Sequence, residues 1–101
     1  MPLIRAAKTS EIPPGAIREF QLDGKTVAVA NVNGAFYCID NTCLHRGGPL
    51  GQGVMNGKSV TCPWHGWEYD VTTGKVGLNP SVGVACYRIE VRGEDLFVEV
   101  G

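Results

Sequence analysis

The chain has 101 residues, a formal net charge of −1, and ordinary fractions of hydrophobic (44%) and charged (19%) residues. This length predicts one domain over residues 1–101 with a small core. The near-zero net charge gives no indication of nucleic acid or an anionic membrane as a partner. No apolar run approaches the roughly 20 residues of a membrane span. The N-terminus has neither a secretory signal nor a twin-arginine pair, which indicates a cytoplasmic protein.

The first forty residues alternate short β-branched runs with turn signals, a pattern typical of an all-β sandwich or barrel. Asp23-Gly24 and Asn33-Gly34 are strong signals for two-residue hairpin turns, and they predict a three-stranded meander. A proline pair excludes helix at 13–14, whereas residues 7–12 could form a single helical turn. The strands predicted here are Leu3–Ala6, Ala16–Leu22, Lys25–Val32 and Ala35–Ile39.

The segment from Asp40 to Pro80 differs, because it is rich in glycine and proline. Short strands are expected within it, with turns at Asn56-Gly57 and Thr73-Gly74. After the segment, two further strands are expected around a turn at Gly93–Asp95. No α-helix is predicted, so the chain should leave a β base, make an excursion and return. The strands predicted in this half are Gly53–Met55, Ser59–Thr61, Trp67–Asp70, Ala85–Arg92 and Leu96–Val100.

The only two histidines of the chain each lie within three positions of a cysteine. Cys43 precedes His45 by two positions, Cys62 precedes His65 by three, and sixteen residues separate the pairs. Two thiolates and two imidazoles are the ligand set of a [2Fe–2S] centre in which histidines replace cysteines on one iron. Each segment supplies one ligand of each kind, so both cysteines can reach one iron and both histidines the other.

Zinc binding, nucleophilic catalysis and chance each account less well for these four residues. A Cys₂His₂ set also suits zinc, although structural zinc sites usually pair like ligands. A Cys–His nucleophile needs a third orienting group, and none is evident. Chance would rarely place both histidines so close to cysteines. The remaining cysteines, Cys38 and Cys86, lie in strand-like runs and are predicted to be reduced residues that pack in the interior.

Two motifs, C-L-H-R-G-G-P-L and C-P-W-H-G-W-E-Y-D, resemble the cluster-binding loops of Rieske proteins. The similarity is greatest to the stand-alone Rieske-type ferredoxins of bacterial ring-hydroxylating dioxygenase systems. It implies a Rieske iron–sulfur fold, with an antiparallel β base and a small β cluster-binding subdomain at about residues 41–80. One [2Fe–2S] cluster is implied per chain. Cys43 and Cys62 would hold its inner iron, and His45 and His65 its outer iron.

The resemblance also implies roles for the residues beside these ligands. Glycines in both loops would let the backbone approach the cluster, so that N–H groups point at its sulfurs. Aromatic side chains would shield the site, although the tryptophans could equally be ordinary core residues. A proline loop would cover the remaining side. The residues concerned are Gly47, Gly48, Trp64, Gly66, Trp67, Tyr69 and Pro80.

The chain departs from the high-potential members of the family at three positions. Those proteins carry a disulfide between the two loops, and the corresponding positions here are Gly48 and Trp64. They also have a serine that donates a hydrogen bond to a cluster sulfur, where this chain has Trp67. Fewer hydrogen bonds to sulfur stabilise the reduced cluster less, so a potential near the lower end of the Rieske range is expected, roughly −150 mV.

The implied function is that of a soluble one-electron carrier rather than an enzyme. A flavin-dependent ferredoxin reductase would supply the electron and a terminal oxygenase would accept it. One alternative is a small electron-transfer subunit of an NADH-dependent nitrite reductase, which shares the fold and the length. The other is a zinc-stabilised binding module without a redox role.

Overall fold

The computed structural model describes residues 3–22, 24–42, 48–64, 66–77 and 81–99. Within these ranges the chain forms nine β-strands and two short 3₁₀ helices, and it forms no α-helix. The all-β prediction is therefore confirmed. The strands are β1 (Leu3–Lys8), β2 (Ile17–Leu22), β3 (Lys25–Val32), β4 (Ala35–Asp40), β5 (Val54–Asn56), β6 (Ser59–Thr61), β7 (Glu68–Asp70), β8 (Cys86–Arg92) and β9 (Asp95–Glu99), and the 3₁₀ helices are η1 (Thr9–Glu11) and η2 (Leu50–Gln52).

Six strands form the base sheet, in the order β1-β9-β8-β4-β3-β2. All of its pairings are antiparallel, as expected for strands joined by short turns. The β3–β4 turn is the predicted Asn33-Gly34 pair, with φ of 53° and 94° at the two residues. Positive φ at both central positions is the signature of a type I′ turn, which matches the twist of the flanking strands.

Strand β3, which lies between β4 and the edge strand β2, is buried on both faces. Ala28 and Ala30 pack into one hydrophobic cluster, whereas Val27 and Val29 pack into a second. This division follows from the period of two in a strand, which sends neighbouring side chains to opposite faces. The first cluster includes residues of both sheets together with Cys62, which follows β6, and it joins the small sheet to the base.

The small sheet consists of β5, β6 and β7 in sequence order. Its first turn differs from the prediction of Asn56-Gly57. Asn56 pairs with Ser59, so the two turn residues are Gly57 and Lys58, with a φ of 63° at the glycine. The asparagine stays in the ladder because glycine alone meets the need for positive φ at the first turn position.

The two cysteines predicted to pack in the interior have different surroundings. Cys38 is buried, and burial raises the pKa of its thiol to about 12. Cys86 is exposed, so the prediction of a buried residue is wrong there. β8 begins at this residue. Gly74 lies beside it, and a Cβ on Gly74 would be 3.0 Å from the Cys86 sulfur. Both thiols are free.

Candidate metal centre

The second predicted loop connects β6 to β7 and starts at the buried Cys62. The Cys62 N–H donates to the Trp67 carbonyl at 2.7 Å, and the Gly66 N–H donates to the Cys62 carbonyl at 3.1 Å. Gly66 has a φ of 75°, and a Cβ there would meet no described atom within 4 Å. Glycine is therefore required by the backbone conformation at this position. The two hydrogen bonds close the chain into a tight loop with the Cys62 thiol at its root.

The first predicted loop leaves the base sheet after β4 and returns at η2. The Leu50 N–H donates to the Asn41 carbonyl at 2.7 Å, and Thr42 forms a β-bridge with Pro49. The segment between Thr42 and Pro49 is thus closed at its root by paired backbone. Gly48, near its returning end, is buried.

Gly48 brings the two loops together. A Cβ on this residue would lie 2.8 Å from the Cys62 sulfur and 3.1 Å from Cγ of Trp64. Both distances are far inside ordinary carbon contact distances of about 3.5–4.0 Å. The buried Cys62 thiol therefore faces bare backbone at Gly48, with no side chain between the two loops. This arrangement suits a group that is bound through sulfur. The described part of the site therefore fits an iron–sulfur cluster at Cys62.

The aromatic residues of the second motif occupy three environments. Tyr69 in β7 is fully buried, and Trp67 is half-buried against the cluster of core residues that includes Cys62. Trp64 is 55% exposed, so it is not an ordinary core residue. It remains beside the site because its ring lies against Gly48.

The segment that flanks the predicted proline loop is held against the small sheet. The Val76 N–H donates to the Val82 carbonyl at 2.8 Å, and Lys75 forms a bridge with Gly83. The Gly77 N–H donates to the Glu68 carbonyl in β7 at 2.9 Å. The chain on both sides of residues 78–80 is therefore fixed to the same side of the molecule as the second loop.

Several predicted site residues lie outside the described residues, and their roles stay predictions. Three of them are metal ligands, and two are backbone or cover residues of the loops. They are Cys43, His45, His65, Gly47 and Pro80.

Two polar residues at the root of the first loop were not predicted. The Asn41 side-chain carbonyl accepts from the Gly51 N–H at 2.6 Å, and its amide donates to Glu19 at 2.8 Å. The sequence contains a signal for Asn41, since asparagine beside a loop often bonds to nearby backbone. Glu19 carries no such signal, because it lies on β2, 22 positions away.

Comparison with known proteins identifies the family. The model of the Rieske [2Fe-2S] domain matches residues 3–88. The chain belongs to this family. It is 32% identical, over 98% of its length and 93% of the relative, to the biphenyl dioxygenase ferredoxin subunit of Pseudomonas sp. (strain KKS102). The cofactor is accordingly a Rieske-type [2Fe–2S] cluster, as predicted.

Solved structures support the same assignment for this Rieske domain. The ferredoxin of carbazole 1,9a-dioxygenase from Nocardioides aromaticivorans IC177 superposes with a TM-score of 0.89 at 30% identity, over 97% of both chains. A chain from a complex of reduced oxygenase and oxidised ferredoxin in carbazole 1,9a-dioxygenase superposes with a TM-score of 0.87, at 30% identity over 95% of this chain and 91% of that one. The chain is an electron carrier of the ferredoxin type rather than an enzyme. None of the helices in its described part is long and apolar enough to cross a membrane.

Proposed function

We propose that the chain is the low-potential ferredoxin component of an oxygenase system, taking an electron from a flavin-dependent reductase and passing it to a terminal oxygenase. The observation that carries the proposal is the end-to-end similarity to a dioxygenase ferredoxin subunit. When bound, the Rieske cluster accepts and releases one electron and gains one negative charge on reduction. Docking to each partner should be small and transient, as for other redox encounters.

Cys43 and Cys62 are proposed as ligands of the inner iron, and His45 and His65 as ligands of the outer iron. The placement of Cys62 supports this assignment, since its thiol is buried at the junction of the two loops. The cluster-binding subdomain then spans about residues 41–80, within a single domain of residues 1–101. The free thiols of Cys38 and Cys86 fit a reducing compartment, and we place the protein in the cytoplasm.

The low potential is supported by the contact between Gly48 and Trp64. These two positions face each other across the loops, but neither has a cysteine with which to form a bridge. The half-buried Trp67 stands where a serine would donate to a cluster sulfur, and its indole N–H is its only side-chain donor. We expect a midpoint potential of roughly −150 mV, and a value above about +100 mV would contradict this reasoning.

The proposal is tested with the purified, cluster-loaded protein. Electron paramagnetic resonance of the reduced protein, combined with a redox titration, should give a Rieske signal with a low midpoint potential. Mixing with a flavin-dependent reductase and the terminal oxygenase of an aromatic dioxygenase system should support substrate turnover. The same mixture without this protein is the control.

The alternatives give different results in the same experiments. A zinc-stabilised module would be colourless and would have no redox signal. A nitrite reductase subunit would co-purify with a large sirohaem-containing subunit and would not support the oxygenase. A Rieske signal without transfer to any oxygenase would refute the proposed partners but not the cofactor.

A further inference from the structure

We propose that Asn41 and Glu19 are positioning residues for the first cluster loop, fixing its root to the edge strand of the base sheet. The inference rests on the proposed function, since it takes the loop between Thr42 and Pro49 to carry the ligands Cys43 and His45. It is independent of the contact between the loops at Gly48, because none of the side-chain hydrogen bonds of Asn41 and Glu19 involves Gly48.

Asn41 joins three parts of the chain at the root of the loop. Its backbone N–H donates to the Thr26 carbonyl at 3.3 Å, and its carbonyl accepts from the Leu50 N–H at 2.7 Å. Its side-chain carbonyl accepts from the Gly51 N–H at 2.6 Å. Asn41 is 6% exposed, so these bonds are largely shielded from water. The departing and returning chain are therefore both tied to one residue, two positions before the first predicted ligand.

Glu19 connects this residue to the base sheet. One carboxylate oxygen accepts from the Asn41 amide at 2.8 Å, and the other accepts from the Gln52 amide at 2.8 Å. A Cβ on Gly51 would lie 2.5 Å from Cβ of Glu19 and 2.8 Å from the Asn41 side-chain oxygen. The returning chain thus passes directly over Glu19. The carboxylate fixes both the start and the end of the loop, because it accepts from one residue on each side.

Solvent reaches the outer side of this network. A cleft of about 490 Å³ opens beside β2. Water can therefore replace part of any bond lost at Glu19, which limits the effect on the stability of the whole fold. The position of the loop has no such substitute, since water does not impose a particular backbone geometry. The cleft is lined by Glu19, Phe20, Gln21, Thr26, Asn41 and Thr42.

The test reverses the direction of one hydrogen bond. N41D keeps the oxygen that accepts from Gly51, but it replaces the amide donor with a second carboxylate facing Glu19. Adding E19Q restores the pattern, because the new amide at position 19 donates to the new carboxylate and still accepts from Gln52. The double variant also has the net charge of the wild type.

The readout is the half-life of the cluster in the loaded protein, followed by visible absorbance under an iron chelator at a temperature well below unfolding. N41D should shorten this half-life about tenfold or more, the factor that corresponds to one hydrogen bond to a charged group. N41D/E19Q should return to within about twofold of the wild type, with the wild-type paramagnetic resonance signal. Thermal unfolding is measured in parallel, because general destabilisation would lower the melting temperature without changing a half-life measured far below it.

Matched controls make the same charge changes elsewhere. N33D lies in the exposed β3–β4 turn, at the opposite end of β4 from Asn41, and E94Q lies in the exposed β8–β9 turn. Both variants should leave the half-life unchanged. An N41D half-life equal to that of the wild type would overturn the inference, and so would a double variant as unstable as N41D. If N41D does not accumulate, recovery of loaded protein on adding E19Q supports the inference, and failure of both overturns it. A wild-type protein without a Rieske signal would overturn the proposed function first, before any variant is compared.

Discussion

Gly48→Ala is the substitution that tests the site most directly. The φ of Gly48 is not positive, so the backbone there accepts alanine and the effect is purely steric. The added methyl group would lie 2.8 Å from the Cys62 sulfur, and 3.1 Å and 3.2 Å from two ring atoms of Trp64. Ordinary contact needs about 3.5–4.0 Å, so the sulfur must recede by about 1 Å.

The expected cost to folding is modest. Overpacking of this kind costs about 1–3 kcal/mol. Replacing glycine by alanine offsets about 0.4–1 kcal/mol of that through the unfolded chain. A net loss of about 1–2 kcal/mol lowers the melting temperature of a domain of this size by on the order of 10 °C.

The expected cost to the cluster is much larger. Metal–ligand distances tolerate changes of about 0.2 Å, and a displacement of about 1 Å at the Cys62 sulfur exceeds this tolerance several-fold. We expect Gly48→Ala to fold but to retain less than about a tenth of the wild-type iron, a difference of about 1.4 kcal/mol or more in cluster binding. Adding Trp64→Ala to Gly48→Ala should not restore the iron, because the atom nearest to the added methyl group is the Cys62 sulfur and not the Trp64 ring.

The assay compares iron per chain and the paramagnetic resonance signal of the reduced protein with the melting temperature of each variant. Gly77→Ala is the matched control. It also has a φ that is not positive, and its Cβ would lie 3.9 Å from the nearest described atom, the Glu68 carbonyl oxygen. It should keep its iron. A Gly48→Ala protein with the wild-type iron content and signal would refute the steric reasoning.

Three further results are expected. His65→Cys should lose the cluster or move its potential toward the roughly −400 mV of all-cysteine ferredoxins, since a thiolate replaces a neutral imidazole; a wild-type spectrum and potential would refute the ligand assignment. Burial raises the pKa of Asp70, but hydrogen bonds from Thr72 and the Lys58 ammonium outweigh it, so the pKa is lowered. Its contribution to stability is present at neutral pH and is lost as the pH falls from about 4 through the folded-state pKa. The free energy of unfolding measured in urea should therefore fall less between pH 7 and pH 3 for Asp70→Asn than for the wild type. Iodoacetamide at about pH 9 should modify the exposed Cys86 well before the buried Cys38, as peptide mapping would reveal; equal rates would contradict the burial of Cys38.

The strands of the base were predictable because their signals are local. The Lys25–Val32 strand and the Asn33-Gly34 turn follow from alternation and from a pair of residues that accepts positive φ. The short helix η2 was missed, since Leu50–Gln52 has no helical pattern and is held by the loop that it ends. Local signals therefore locate elements well, but they do not locate elements fixed by tertiary contacts.

The ligand motifs could likewise be identified from the sequence, whereas the contacts that other residues make around them could not. Cys86 is exposed, and its sulfur lies beside Gly74, 12 positions away in the sequence. The bond from Asn41 to Glu19 joins residues 22 positions apart. Neither contact produces a periodic pattern in the sequence, because each depends on how two separate segments of the chain pack together.

The same packing accounts for how two loops without a disulfide are held together. A cysteine at position 48 would place its Cβ 2.8 Å from the Cys62 sulfur, as the methyl group of Gly48→Ala would, so a bridge to position 64 would require that sulfur to move. In its place the Trp64 ring lies on Gly48, and Asn41 ties the first loop at its root. The close approach of Gly48 to Cys62 therefore disfavours the bridge, and the low potential is expected because this chain has neither the bridge nor the serine at position 67.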